Sequence, residues 1–227
     1  MDTKPLTQAL LEVGAHYGFT KARRHPSAQN FIIATKNKSD LINIEETANQ
    51  IEKAKEVLRG MASGGKIAIV VGTKTEAVEA IQNAALKMPA LSVSHRWVGG
   101  IITNFSEIRK RTGRLTTLRD EKSQGLLEKY TKKERLLLDR EMDKMERNFG
   151  GIVDMKKIPD IMIVVDSGKE EIAVTEARKM QIPVIALLNT DCDLNKVDFP
   201  IVMNDTSKAS INLIMETLAE SYANGRS

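Results

Sequence analysis

The chain has 227 residues, 41% of them hydrophobic and 28% charged, a formal net charge of +4 and a pI near 9.1, which is enough for a buried core without disulfides or metals. Only 4% of the residues are aromatic, which argues against a wide platform for stacking single-stranded bases. Cys192 is the one cysteine, excluding an internal disulfide and a thiolate-rich zinc site and fitting a reducing compartment, while no apolar run approaches the ~18 residues of a membrane span and no secretory or transit pattern opens the chain.

In chain order, Met1 to Pro5 lead into a short amphipathic helix over 6–15, with Leu6, Leu10 and Val13 on one face. Gly14 and Gly18 bracket His16-Tyr17 as a loop. Lys21, Arg23, Arg24, Lys36 and Lys38 then fall within an 18-residue stretch that has no acid. Pro26 biases His25 toward an extended conformation, and an extended basic segment can lie along a phosphate backbone. Short strands are expected at 31–33 and 41–44, with a polar turn between them. A helix over 47–61 follows, carrying Ala48, Ile51, Ala54 and Leu58 at 3–4 spacing. Ile67 to Val71 is a β-branched run typical of a strand buried on both faces. Gly72-Thr73-Lys74-Thr75 opens a helix that runs to about Lys87, and Leu91-Ser92-Val93 is a shorter strand.

Ser94 to Phe105 holds the single tryptophan, one of three histidines and a Gly-Gly break. It marks the junction between the α/β part and a helical arm. From Thr103 to about Glu121, and again from Thr131 to Phe149, apolar residues recur at 4-3 spacing in a narrow seam, the pattern of an antiparallel coiled-coil hairpin. Residues 106–147 carry 13 Lys/Arg against 9 Asp/Glu, a net +4, and concentrated basic charge is the footprint of a polyanion partner. Strand–helix alternation then resumes, with strands at 161–165, 183–188 and, interrupted by Pro200, an edge strand at 199–202. Helices cover 170–180 and 207–222. This order of apolar strands and helices predicts a mostly parallel sheet covered on both faces.

Such sheets bind ligands at the carboxyl ends of their strands, which sets up an alternative: a nucleotide-binding or metal-dependent enzyme using Thr73, Asp166 and Asp191. The loop at 72–75 lacks the upstream glycine of a Walker motif, and acids at strand ends often only cap turns. His16, His25 and His95 lack zinc-type spacing, no serine sits in a nucleophile elbow, and Cys192 lies in a turn. A coiled-coil module that binds protein is a third class. At the junction, Trp97 reads as the anchor of the arm, with His95 and Arg96 presented at its base and Gly99-Gly100 permitting close approach.

The run His95-Arg96-Trp97-Val98-Gly99-Gly100-Ile101-Ile102-Thr103-Asn104-Phe105 resembles the signature of the family of the second small-subunit ribosomal protein, in its bacterial and organellar form. Further matches span the chain in order: Leu11 to Gly18, Arg24-His25-Pro26, Ile42 to Thr47, Val71 to Lys74, Leu126 to Lys133, Gly150 to Asp160, Pro183 to Ala186, Asn189 to Asp193 and Asn204-Asp205. The resemblance implies a flavodoxin-like (Rossmann-like) α/β domain in two parts, 1–102 and 150–227, with a coiled-coil hairpin inserted at 103–149. It implies a structural, non-catalytic role in translation, bound to small-subunit ribosomal RNA between head and body. It also implies neighbouring proteins, including the large multi-domain first protein of that subunit, with no membrane partner and no homo-oligomer.

The RNA contacts would map onto His16, Lys21, Arg23, Arg24, His25, Lys36 and Lys38, onto His95, Arg96, Trp97, Gly99, Gly100, Thr103 and Asn104, and onto Arg109, Lys110 and Arg111. No cofactor is expected. Were a magnesium or zinc ion held, Asp191 and Asp205 are the candidate ligands, since Phe19 stands where many bacterial members carry a second histidine. Many members also carry an acidic tail beyond the position of Gly225-Arg226, and contacts made by such a tail are not expected here. The implied location is ribosome-bound in the cytoplasm of a bacterium, or in an organelle. Binding is expected to rest on phosphate neutralisation and shape, because structured RNA offers its base edges poorly.

Overall fold

The structure, a computed structural model, describes residues 6–226; the expected lead of residues 1–5 into the first helix lies outside them. In chain order the elements are α1 (Leu6–Glu12), β1 (Tyr17–Thr20), β2 (Ile32–Lys36), β3 (Ser39–Ile42), α2 (Ile44–Ser63), β4 (Ala68–Val71), α3 (Val78–Lys87) and β5 (Leu91–Val93). They continue with α4 (Phe105–Ser123), α5 (Lys132–Phe149), β6 (Ile161–Val165), α6 (Glu171–Lys179), β7 (Val184–Leu188), β8 (Phe199–Val202) and α7 (Lys208–Gly225).

The main sheet has five parallel strands in the order β5-β4-β6-β7-β8, the 2-1-3-4-5 order of doubly wound, Rossmann-like sheets. Every residue of β4, β6 and β7 is buried, which is why these strands read as unbroken apolar runs. Alternate residues feed two cores. Val70, Ile163, Val165, Ile185 and Leu187 face α2, α3 and α7. Ile69, Val71, Met162, Val164 and Ala186 face α6, Trp97, Ile101, Ile102, Ile108 and Phe149. Pro200 lies in β8 at the sheet edge, where a missing N–H leaves no gap in a ladder.

A second sheet, antiparallel and ordered β1-β3-β2, departs from the sequence expectation. Gly14 to Gly18 read as a loop, but β1 begins at Tyr17, which pairs with Leu41, as Thr20 does with Ser39. The strand has no apolar alternation of its own and exists because of tertiary pairing. Lys36 pairs with Ser39 across Asn37 (φ 50°) and Lys38 (φ 67°), so the β2–β3 turn is a two-residue loop with both residues left-handed, whose twist matches that of the flanking strands. Helix α2 starts three residues earlier than the apolar spacing suggested, because the Asn43 side chain accepts hydrogen bonds from the Glu45 and Glu46 amides. Helix α1 is shorter than expected: it ends at Glu12, and Gly14 (φ 73°) turns the chain while the Ala15 amide bonds back to the Leu10 carbonyl.

Helices α4 and α5 carry ion pairs from one to the other: Arg119–Glu146 at 2.5 Å, Lys122–Asp139 at 2.8 Å and Arg114–Glu141 at 3.9 Å. Lys122, near the end of α4, meets Asp139 in the first half of α5, while Glu107 and Lys110 at the start of α4 share a cleft with Asn148 and Phe149 at the end of α5, so the two helices run antiparallel. Ile108, Thr112, Leu115 and Leu118 form the buried stripe of α4, while on α5 only Phe149 is buried. A capping box at Thr131 and Glu134 starts α5.

Candidate nucleic-acid interface

In a parallel sheet the residues that follow each strand collect at one edge. Here that edge carries Gly72-Thr73-Lys74 after β4, Ser94 onward after β5, Asp166 after β6, Asn189-Thr190-Asp191 after β7 and Asp205 shortly after β8. The topological switch point lies between β4 and β6, and the chain fills it with its own side chains. The Lys74 ammonium lies 2.7 Å from Asp166 and 2.5 Å from Asp205. Thr73 donates its amide and hydroxyl to Glu170 at 2.9 and 2.5 Å. Asp166 (φ 67°) also accepts the Gly168 and Lys169 amides at 3.0 Å.

The two carboxyls around Lys74 are driven apart. Burial pushes Asp205 up and outweighs Lys74, so its pKa lies above the ordinary range. Burial also pushes Asp166 up, but Lys74 and the Lys169 amide pull it below the ordinary range. Lys74 is lowered by burial and raised by Asp205 and Asp166, with a net rise, so the ammonium stays charged. Burial, then Asp166 and Asp191, push the Cys192 thiol up to about 12, which is incompatible with a reactive thiolate at neutral pH. The strand-end enzyme alternative therefore meets a crevice already filled by the chain's own paired side chains.

The expected basic segment lies on this edge. The Phe19 amide donates to Asn189 Oδ1 at 3.2 Å and Thr190 Oγ1 at 3.1 Å, and the His25 amide donates to the Thr190 carbonyl at 2.8 Å. Arg23 pairs with Asp191 at 2.9 Å and stacks over Phe19 at 4.1 Å, with its side chain still 59% exposed. Arg24 is committed inward: it grips the buried Asp40 at 2.8 and 2.5 Å and donates to Thr35 at 2.9 Å. Arg24 holds the Asp40 carboxyl below the ordinary range against the opposing push of burial. The Lys21 amide bonds to the Lys38 carbonyl at 3.2 Å, which puts those two exposed lysines side by side. Lys36 is exposed at the same turn. His16 is half-buried against Tyr17, its Nδ1 buried with no hydrogen-bond partner.

The junction is built around a residue that the sequence reading passed over. Glu176, buried on α6, accepts from Trp97 Nε1 (3.2 Å), the amides of Gly100 (2.7 Å), Ile102 (3.2 Å) and Thr103 (3.1 Å), and the Thr103 hydroxyl (3.0 Å). Burial raises this carboxyl, and the amides of Gly100 and Thr103, with Trp97, more than reverse it, so its pKa is lowered. Trp97 is buried in the second core. Gly100 adopts φ +95°, which an L side chain rarely does, and an added Cβ would lie 3.1 Å from the Asn104 Cβ; Gly99 has no comparable constraint. His95, Arg96, Thr103 and Asn104 are exposed, and His95 lines a cleft of about 470 Å³ beside Ser94, Arg147 and Gly151. On α4, Lys110 pairs with Glu107 at 2.6 Å, while Arg109 and Arg111 are exposed.

Among the described residues no three His, Cys, Asp or Glu side chains converge as metal ligands. The two candidate ligands have other partners: Asp191 holds Arg23, and Asp205 holds Lys74 and the Asn189 amide. None of the helices among the described residues is long and apolar enough to cross a membrane.

Fold and site together define an α/β protein whose strand-end crevice is filled by its own side chains, with exposed basic residues on the β2–β3 turn and on α4. Residues 10–225 match the family described as Ribosomal protein S2. The small ribosomal subunit protein uS2 of Helicobacter hepaticus is 39% identical over 218 residues, covering 96% of this chain and 83% of the relative. Those of Nocardia farcinica and Wolinella succinogenes are 43% and 41% identical, covering 95% and 96% of this chain and 76% and 80% of the relatives. The chain belongs to the ribosomal protein S2 family, whose members are structural components of ribosomes and not enzymes. With that assignment the catalytic alternative at Thr73, Asp166 and Asp191 is set aside, and these residues are read as the fillers of the crevice.

Proposed function

We propose that this protein is a structural constituent of the small ribosomal subunit, ribosome-bound in the cytoplasm, where it holds small-subunit ribosomal RNA between head and body. In this reading residues 103–149 form an inserted coiled-coil hairpin, and the chain helps to dock the large multi-domain first protein of the subunit. The observation that supports it is the division of its cations. Exposed Lys21, Lys36, Lys38, Arg96, Arg109 and Arg111 have no ion-pair partner among the described residues, whereas the half-buried Lys74 is paired with two carboxylates. Unpaired surface cations are available to neutralise phosphates and release counterions. The test is Arg109→Ala with Arg111→Ala. We expect weaker incorporation into subunits assembled without the native protein, at an unchanged melting temperature; normal incorporation would remove α4 from the RNA contact.

A further inference from the structure

We propose that Asn189 and Thr190, fixed from behind by Asp205 and Lys74, are the anchor that positions the basic segment Lys21–His25 for its polyanionic partner. The proposal rests on the reading of that segment as an RNA contact and adds to it the residues that set its position.

The geometry runs from the core outward. Lys74 holds Asp205, which is fully buried. Asp205 Oδ1 accepts the Asn189 Nδ2 hydrogen at 3.0 Å, and this fixes which way the Asn189 amide points. The amide oxygen is thereby turned toward the Thr190 amide (2.8 Å) and the Phe19 amide (3.2 Å). Thr190 adds its hydroxyl to Phe19 at 3.1 Å and its carbonyl to His25 at 2.8 Å. The segment between Phe19 and His25 is thus pinned at both ends to one strand end, with Arg23 tied to the next residue, Asp191. Packing adds a steric condition. A Cβ at Gly18 would lie 2.8 Å from Thr190 Cγ2 and 3.2 Å from both Thr190 Oγ1 and Asp40 Cβ, so only glycine lets β1 rest this close. The crevice where Rossmann-like sheets usually take a ligand here takes part of the chain itself. Positioned cations bind a phosphate backbone better than cations on a loose segment, whose ordering must be offset at binding.

The test uses the full-length protein with three substitutions: Gly18→Ala, Thr190→Val and Thr190→Ser. Amide exchange is followed at Phe19 and His25, with the amides of β6 as control, and affinity is measured for small subunits lacking the native protein. Gly18→Ala and Thr190→Val should each speed exchange at Phe19 and weaken affinity by roughly tenfold, about one lost hydrogen bond's worth, with β6 still protected. Thr190→Ser keeps the hydroxyl and should behave like the parent. Combined with Gly18→Ala it should restore much of the loss, because it removes the methyl group nearest the new Cβ. Unchanged protection at Phe19 and His25 in Gly18→Ala and Thr190→Val would overturn the anchor. Faster exchange with unchanged affinity would also overturn it as a positioning device. A parallel Lys21→Ala, Arg23→Ala variant then separates the two readings: lowered affinity there keeps the segment as an RNA contact, and unchanged affinity removes that reading as well.

Discussion

Arg23 and Arg24 are neighbours in sequence and opposites in use. Arg24 turns inward onto a carboxylate that is fully buried, with both oxygens of Asp40 engaged. Arg23 lies across Phe19, its pair with Asp191 open to solvent. The same contrast separates the crevice from the exposed surface. At the carboxyl edge of the sheet, Lys74, Asp166, Asp205 and Glu170 are locked in internal contacts. On the exposed turn and along α4, Lys36, Lys38, Arg109 and Arg111 have no such partner among the described residues. Burial makes the difference: a charge taken out of water must be paired inside the protein, while an exposed one loses little by waiting for a partner.

The comparison can be broken most severely at Glu176. Replacing it with Gln leaves five donors facing one carbonyl oxygen and one amide group, so stability should fall by roughly 3 kcal/mol through unsatisfied buried groups, read from the urea midpoint. A loss within error would mean that the junction does not depend on this carboxylate. The linked pH effect has a definite sign. The folded pKa of Glu176 is lowered, so its contribution is present above the unfolded value of about 4.3 and is lost as pH falls through the folded value. The parent should therefore lose stability over that acid window more steeply than Glu176→Gln, as measured by denaturation at a series of pH values; parallel curves would contradict the assignment. Exchanging Lys21 and Lys38 for Ala should leave folding intact and reduce the slope of log affinity against log salt by about 1.5–2, two phosphate contacts' worth. The smallest effect belongs to the exposed pair Arg114–Glu141, 3.9 Å apart with both side chains nearly half exposed. Arg114→Ala should change unfolding free energy by less than ~0.5 kcal/mol, and a larger change would show that the α4–α5 pairs hold the helices together.

How much of this was legible follows the same division. Strands β4, β6 and β7 announced themselves because a strand buried on both faces has to be apolar throughout. Helices α4 and α5 were visible because Ile108, Thr112 and Leu115 in the first, and Leu138, Met142 and Met145 in the second, keep a helical spacing. Strand β1 was not visible, since Tyr17–Thr20 pairs through backbone alone and its position is set by Thr190, about 170 residues away in sequence. Nor was Asp40, whose partner arginine sits in what reads as a uniformly basic run. Glu176 did leave a signal. It shares the buried side of α6 with Ala173, Val174 and Ala177, and an acid there needs donors from elsewhere. The sequence alone had no way to say that those donors would come from the Trp97–Thr103 segment.

That the exposed cations serve a ribosomal site is tested most directly by titrating the protein onto small subunits that lack it, across a range of salt, with bulk transfer RNA as competitor. Saturable one-to-one binding that resists the competitor and weakens steeply with salt is the predicted result. Weak binding abolished by transfer RNA would contradict it and leave only a generic basic surface.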